Sequence, residues 1–454
     1  MASFAVKFLG CKVSHADAML ARRSLLAAGH TAVPESEADL HVINTCCITS
    51  EAEAKSRQSV RRSLRSAERV YVAGCAVNLD PRQFGGIDPR VSPFAGTAEE
   101  VAGAMGAAAP ATPGEDSGLW PGPTAAACAD TAHDVLARER AHGHEPTALP
   151  RERVDGREPA TRTRGFVKVQ DGCDCRCAYC IIPTVRGSAR SRPASAVLDE
   201  VAERVAMGQP EMVMTGISVG DYADPERGLE LGQLMVEVAG VPGVERVRLS
   251  SVEVIHVKDS LLDALISEPK VCPHLHVPMQ SGDDAVLTAM GRHYSAAEYL
   301  DHLARLRAAA PHVNVTTDVI VGFPTEDEAA FQRTLDAVDA AGITRVHVFP
   351  YSPRPGTVAA GLGDRVPAAE KKRRSQVLRG RSELRSRLHR TTRLGRREQV
   401  LIDKVADTQC SGYTADYTRC YLASTTSGAL RRGALVDVVC EELYADGISC
   451  SLPK

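Results

Sequence analysis

Three cysteines, Cys173, Cys177 and Cys180, stand in the spacing CxxxCxxC within the run Asp171-Gly-Cys-Asp-Cys-Arg-Cys-Ala-Tyr-Cys180. Thiolates this close can wrap three irons of a cubane cluster and leave the fourth iron open to a small molecule. A zinc loop is the competing reading, but it wants a fourth ligand, and the neighbouring sequence offers none. Cys175, inside the loop, reads as a spare thiol. A second set, Cys11, Cys46 and Cys75, is spread out, with 35 and 29 residues between successive members. Each follows an apolar run and a turn-prone residue: Gly10, Thr45 and Gly74. If those runs are parallel strands, their carboxyl ends share one rim, and the three thiols could hold a second cluster. Three unrelated core cysteines would look the same, and spacing alone leaves both readings open. Cys47 competes with Cys46, which the strand end and the preceding Asn44-Thr45 favour. Cys128, Cys272, Cys410, Cys420, Cys440 and Cys450 show no ligand spacing and read as small buried hydrophobes.

The surrounding pattern supplies elements to position these thiols. Residues 3–9, 39–44 and 69–73 read as strands, with a helix over 15–28 and a basic helix through Lys55, Arg57, Arg61, Arg62 and Arg65. Strands alternating with helices indicate a parallel α/β sheet for residues 1–101. Residues 102–163 are rich in Ala, Pro and Gly without sustained periodicity and read as a low-complexity linker, Trp120 included. The rhythm resumes over 164–364, with strands expected at 166–170, 211–215, 245–249, 274–278, 313–320 and 344–350. Helical patterns such as 195–206, 297–309 and 326–341 lie between them, and six such units make a partial barrel, too few to close the eight-stranded form. The cysteine loop follows the first of these strands, at the carboxyl end where barrel active sites form. From residue 398 short strands separated by turns read as a small β-barrel. The fold class is thus α/β, with a parallel α/β domain, a partial (βα)6 barrel and a C-terminal β-barrel.

Composition bounds the class. At 454 residues the chain needs more than one core. A hydrophobic fraction of 44% and a charged fraction of 24% are those of a globular protein, and fourteen cysteines without a signal peptide point to metal or redox duty. No apolar stretch approaches the roughly 18 residues of a membrane span, so a cytoplasmic protein is expected. The net charge of −3 is unevenly spread: residues 365–397 hold thirteen Lys or Arg against Glu370 and Glu383, a net +11. With Val377, Leu384 and Leu388 at helical spacing, this segment reads as a basic amphipathic helix. A solvated helix face is the plainer reading; thirteen cations favour a polyanion partner.

LGCKV (9–13), NTC (44–46) and AGC (73–75) resemble the N-terminal domain of methylthiotransferases of the radical S-adenosylmethionine superfamily. DGC…C…CIIP…RG (171–187) and VFPYSPRPGT (348–357) resemble their radical domain, and GYTADYTR (412–419) is similar to their RNA-binding TRAM domain. The GCK form and IIPTVRG resemble the branch acting on N6-threonylcarbamoyladenosine in tRNA; Ser14-His15 departs from that branch's usual Asn. The resemblance implies two [4Fe–4S] clusters, on Cys173/Cys177/Cys180 and on Cys11/Cys46/Cys75, and S-adenosylmethionine as cofactor. One molecule would be cleaved to a 5′-deoxyadenosyl radical that activates the adenosine C2 position, and a second would methylate the sulfur to be delivered. It implies cofactor contacts at the strand mouths from Thr215, Gly216, Ser251, Glu253, Gln280 and Gly322, the last within a GxIxGxP-like run in which Asp318 replaces the first glycine. It also implies tRNA and a low-potential electron donor as partners. Candidate RNA contacts are Arg186, Arg190, Lys371, Lys372, Arg373 and Arg374, with Tyr413 as a base-stacking platform.

Two other readings stay in view: a methylthiotransferase for an aspartate of a ribosomal protein, whose usual GCPKN-like start is absent because Lys12 follows Cys11, and a non-catalytic, metal-stabilised RNA-binding protein. Anaerobic reconstitution discriminates the last. About eight irons per chain are expected as two cubanes, whereas zinc in place of iron would favour the binding protein.

Overall fold

The computed structural model of the chain describes residues 1–96 and 162–453 apart from 49, 407 and 424–429, together with 100, 101 and 103. The linker expected over 102–163, Trp120 included, lies almost wholly outside the described residues.

In the N-terminal part, β1 (Ser3–Phe8), β2 (Thr31–Ala32), β3 (Leu40–Thr45), β4 (Arg69–Gly74) and β5 (Val91–Pro93) form a parallel sheet in the order β2-β1-β3-β4-β5. The central strand β3 is the most buried, as its run His41-Val-Ile-Asn-Thr45 requires. Three strands were expected; β2 and β5 are edge strands too short to carry a pattern. The helix Lys12–Ala27 returns the chain from β1 with Ala21 and Leu25 buried, and its Ala16 packs against Phe166 and Val213 of the central part.

The central part holds β6 (Arg164–Lys168), the short antiparallel pair β7 (Gln170–Asp171) and β8 (Arg190–Ser191), then β9 (Glu211–Thr215), β10 (Arg246–Leu249), β11 (His274–His276), β12 (Asn314–Val321) and β13 (Arg345–Pro350). Strands pair in parallel in the orders β10-β9-β6 and β11-β12-β13. The Val247–Val271 bridge and a 2.9 Å bond from Val252 N–H to the His276 carbonyl join the two triplets. This is the expected six-stranded arc. Outward-facing Val167, Met212, Met214, Val247, Leu275 and Val319 pack under the helices. Helix starts are well specified: Ser295 and Glu298 form a capping box, and the Asp327 carboxylate accepts from Ala330 N–H.

The basic segment does form one helix, Ala368–Thr391, but not with the expected face inward. Val377, Leu384 and Leu388 are 40, 56 and 58% exposed, whereas Lys371, Arg374, Ser375, Ser382 and Arg390 are buried. The neighbouring β13 explains the inversion, because its backbone is met by hydroxyls: Ser382 Oγ accepts from Val346 N–H and Ser386 Oγ donates to the Thr344 carbonyl.

Strands β14 (Arg397–Val405), β15 (Gln409–Thr414), β16 (Arg419–Ala423), β17 (Leu435–Tyr444) and β18 (Gly447–Ser451) close a barrel in the order β14-β15-β16-β18-β17. It docks under the amino ends of the central strands through arginines. Arg246 donates to the Tyr413 and Gln399 carbonyls, and Arg248 donates to the Ala415 and Thr414 carbonyls while pairing with Glu211.

His15 marks the joint between the first two parts. Its ring meets Phe8 and Phe166 edge-on at 4.6 and 5.0 Å. Burial, with help from Arg162 and Arg204, pushes its pKa down to about 4. A depressed histidine is neutral in both folded and unfolded chains at pH 7.5, and only the unfolded chain gains the proton as pH falls below 6.5. Urea unfolding of cluster-free protein is therefore expected to lose roughly 2 kcal/mol between pH 7.5 and pH 5 through this residue, and His15→Phe should remove that part of the pH dependence.

Candidate active site

The two cysteine sets sit on strand ends that glycine turns make possible. Gly10 and Gly74, which precede Cys11 and Cys75, have φ of +116° and +95°. A Cβ on Gly10 would lie 2.9 Å from the Cys46 sulfur, and one on Gly74 would lie 2.1 Å from Asn44 Oδ1. Only glycine brings the rim this close. Cys46 feels the charges of Cys11 and Cys75, so the fold gathers these three thiols although the chain separates them widely. Burial pushes the Cys46 thiol up to about 11, and Cys75 is held below the ordinary value by a hydrogen bond from Cys47 and by Arg186. Cys47 itself points into the core beside Val60, Val70 and Phe84.

The loop carrying Cys173, Cys177 and Cys180 is held by its backbone: Cys173 N–H donates to the Gly187 carbonyl, Ala178 N–H to Met290 and Cys180 N–H to Cys177. Arg292, nearly buried, donates to the Cys177 sulfur at 3.2 Å and pairs with Glu253 at 3.0 Å. Burial raises Cys180 to about 11 and Cys175 to about 12. Neither triad draws its sulfurs all within 4.8 Å of one another, the spacing for a single ion. An all-thiol donor set with wider spacing suits an iron–sulfur cubane.

The two sets meet. Cys75 lies in one apolar cluster with Ile181, Ile182 and Val185, and Cys173 and Cys180 pack against it. Asn78 Nδ2 donates to the Val185 carbonyl at 2.9 Å. Arg186, expected on the RNA surface, is instead buried here, its side chain 7% exposed. Its Nε donates to the Cys75 sulfur at 3.1 Å, while its two terminal nitrogens reach Asp171 and Asp17 at 3.0 and 2.9 Å. Lys168 donates to Asp17 at 2.6 Å and to Asp171 at 3.2 Å. Burial alone would raise Asp171, but Lys168 and Arg186 overrule it and hold the carboxyl far below the usual range. Arg354, from the VFPYSPRPGT run, makes a second tie, donating to the Ile48 carbonyl and pairing with Glu53. Asp17, Lys168 and Arg292 carry no local spacing signal, and only the fold reveals them; Arg354 stood in a run the sequence singled out, but its partners did not show there.

The expected cofactor contacts fall at the strand mouths. Thr215 ends β9, Ser251 follows β10, Gln280 follows β11 with φ +66°, and Gly322 follows β12. The buried Ser250 hydroxyl has no partner among the described residues, as a polar ligand at this mouth would explain. Gly216 packs against the Gln170 carbonyl. At Gly322 the space a side chain would take is filled by the Lys371 chain, so its bareness serves packing.

The expected RNA contacts divide. Arg190 is about half exposed, and Lys372 is exposed. Lys371 is buried, donating to the Tyr351 carbonyl and pairing with Asp364. Arg374 pairs with Glu326 and Glu370, and Arg373, more exposed, pairs with Glu370 and Glu328. Tyr413, half-buried, stacks on Tyr417 at 5.0 Å with Arg164 over its ring at 5.2 Å, and it lines a pocket with Asn314, Thr344 and Arg419. The expectation that Arg186, Lys371 and Arg374 meet RNA is corrected: interior acids and carbonyls already hold these buried side chains.

An arc of six parallel strands with a three-cysteine loop after the first defines the radical S-adenosylmethionine class. The sequence profile of that superfamily matches residues 167–338, and the profile of the uncharacterized family UPF0004 matches residues 3–96. The chain is 33% identical to the threonylcarbamoyladenosine tRNA methylthiotransferase MtaB of Thermotoga maritima over 92% of this chain and 91% of that protein. It is 31% identical to the protein of the same name from Chlamydia pneumoniae over 98% and 97%. A tRNA-2-methylthio-N(6)-dimethylallyladenosine synthase of Mycolicibacterium vanbaalenii is 33% identical over 88% of this chain and 76% of that protein. In fold, the chain is similar to the radical S-adenosylmethionine methyltransferase TsrM of Kitasatospora setae, with TM-score 0.54 at 16% identity, covering 77% and 73% of the two chains. The chain belongs to the radical S-adenosylmethionine methylthiotransferase family. That family's chemistry uses a [4Fe–4S] cluster and S-adenosylmethionine.

The buried charges at the joint generate a test. Arg186→Met leaves Asp17 facing Lys168 alone and Asp171 facing Lys168 and the half-exposed Arg190, and the cluster-free chain is expected to lose about 3–5 kcal/mol in urea unfolding. Arg186→Met with Asp17→Asn should lose less than the two single changes summed; strict additivity would show that the residues act separately.

Proposed function

We propose that the chain converts N6-threonylcarbamoyladenosine in tRNA to its 2-methylthio derivative, using two molecules of S-adenosylmethionine and two [4Fe–4S] clusters. The observation that carries this is the meeting of the two cysteine sets in one apolar cluster, bridged by Arg186. Cys173, Cys177 and Cys180 would hold the cluster that, with bound S-adenosylmethionine, supplies the radical; Cys11, Cys46 and Cys75 would hold the one that carries sulfur. Arg292 and Arg186 each direct a donor at a ligand sulfur, which stabilises negative charge there. Thr215, Gly216, Ser251, Glu253 and Gln280 line the mouth where the cofactor would be oriented. The apolar wall of Ile181, Ile182 and Val185 keeps water from the reacting centre.

The dimethylallyl relatives raise a second reading, with an apolar, uncharged substituent on the base. Lys12 favours the first. It is exposed beside Cys11 and has no ion pair among the described residues. A threonyl carboxylate, absent from the dimethylallyl group, would pair with it. The low-potential electron donor is outside this geometry.

Nucleoside mass spectrometry of a deletion strain is expected to show loss of the methylthiolated threonylcarbamoyl nucleoside and build-up of its precursor. Persistence of the product in a strain with no redundant enzyme overturns the assignment. In vitro, Lys12→Met should raise KM for the modified tRNA roughly 10–100-fold, the worth of a charge-assisted bond, with iron content unchanged. An unchanged KM would remove Lys12 from substrate recognition.

A further inference from the structure

The C-terminal barrel holds a third group of thiols that methylthiolation does not use. Cys420, Cys440 and Cys450 come from β16, β17 and β18. Register makes them neighbours. Cys440 and Cys450 are directly opposed in the antiparallel β17/β18 pair, and Cys450 faces Leu422, two residues past Cys420, in the parallel β16/β18 pair. The three sulfurs all lie within 4.8 Å of one another, with Cys440 and Cys450 3.9 Å apart. Among the described residues, no other three of His, Cys, Asp and Glu bring their ligand atoms so close together.

Three observations separate this group from ordinary core packing. Bonds of about 2.3 Å from sulfur to one ion put the sulfurs roughly 3.8–4.0 Å apart; the Cys440–Cys450 pair, at 3.9 Å, has that separation, and Cys420 lies within 4.8 Å of both. The residues are 0, 1 and 6% exposed within a wall of Val400, Ile402, Leu422, Val438 and Ile448. An all-sulfur set in an apolar wall selects soft ions over those that want oxygen or water. Arg393 adds a cation beside the group. Its terminal nitrogen bonds Glu398 and Asp416, and its guanidinium acts on Cys440 through space. A nearby positive charge stabilises the negative charge of metal-bound thiolates.

We propose that Cys420, Cys440 and Cys450 bind one copper(I) ion, which three thiolates can enclose, as a structural site in the C-terminal barrel; zinc(II) wants a fourth ligand, and among the described residues no further His, Cys, Asp or Glu joins the three. Binding breaks three S–H bonds, forms three sulfur–metal bonds and releases three protons to solvent; no electron is transferred. A single ion would tie together three strands, including the parallel β16/β18 pairing needed to close the barrel. Small barrels have little core to hold them, and such a cross-link adds its binding energy to folding. The register shift between Cys440 and Glu442 in β17 lies beside the site.

The test uses the full chain, purified anaerobically, cluster-loaded, and offered zinc(II) or copper(I) in separate arms before chelator washing. One equivalent of copper beside the full iron content is expected, with an all-sulfur shell at about 2.3 Å in X-ray absorption at the copper edge. Zinc is expected to wash out. Cys440→Ser with Cys450→Ser should lose that equivalent while keeping wild-type iron. Should the double variant fold poorly, the absorption spectrum and metal count of the unaltered chain decide alone. The proposal is overturned if copper does not survive washing, if zinc is held in its place, if copper persists in the double variant, or if mass spectrometry finds a Cys440–Cys450 disulfide in the anaerobic protein.

Discussion

The arrangement of this enzyme depends on one buried charge cluster, Asp17, Lys168, Asp171 and Arg186. Each carboxylate meets both cations, and Arg190 approaches Asp171 from the rim, so each buried charge has its partners. Burying four charges is severely unfavourable unless the geometry is nearly ideal. Asp17 belongs to the N-terminal helix and the other three to the central barrel, so only one docking of the two parts satisfies them all. That docking brings Cys75 against the segment carrying Cys173 and Cys180. A charge cluster that stabilises little in net terms thereby selects one geometry for two sets of thiols.

The same economy governs the basic helix. A segment of net charge +11 suggests a surface for phosphate, yet much of that charge is an internal adhesive. Lys371 and Arg374 reach back into the barrel, Arg381 and Arg385 pair with Asp339, and His389 and Arg393 close on Asp416 of the C-terminal barrel. Arginine suits this duty because its planar fork can meet a carboxylate and a carbonyl together. Arg246 and Arg248 show the same use beneath the central strands. Affinity for RNA must then draw on cations outside these pairs, such as Lys372.

Much of the fold was legible in the chain. All six central strands, three of the five N-terminal strands and the main helices lie within a few residues of where alternation and helical spacing placed them. Local side-chain pattern is what makes a strand or a helix, and such pattern is written in consecutive residues. The short edge strands Thr31–Ala32 and Val91–Pro93 escaped because too few residues can show no period. The basic helix was found, but its inward face was misjudged, since the apolar triplet Val377, Leu384 and Leu388 faces out while Ser382 and Ser386 meet strand carbonyls and amides.

By itself the sequence determined the thiol loop at 173–180, the strand-then-cysteine rhythm at 11, 46 and 75, and the order of α/β and β parts, because each depends on neighbours along the chain. Tertiary structure alone decided that Arg186 faces Cys75, that Lys371 fills the space at Gly322, and that Cys420, Cys440 and Cys450 converge. Those partners are distant along the chain, and no spacing rule links them. Strand register and domain docking set their separations, and both follow from burying the whole chain at once.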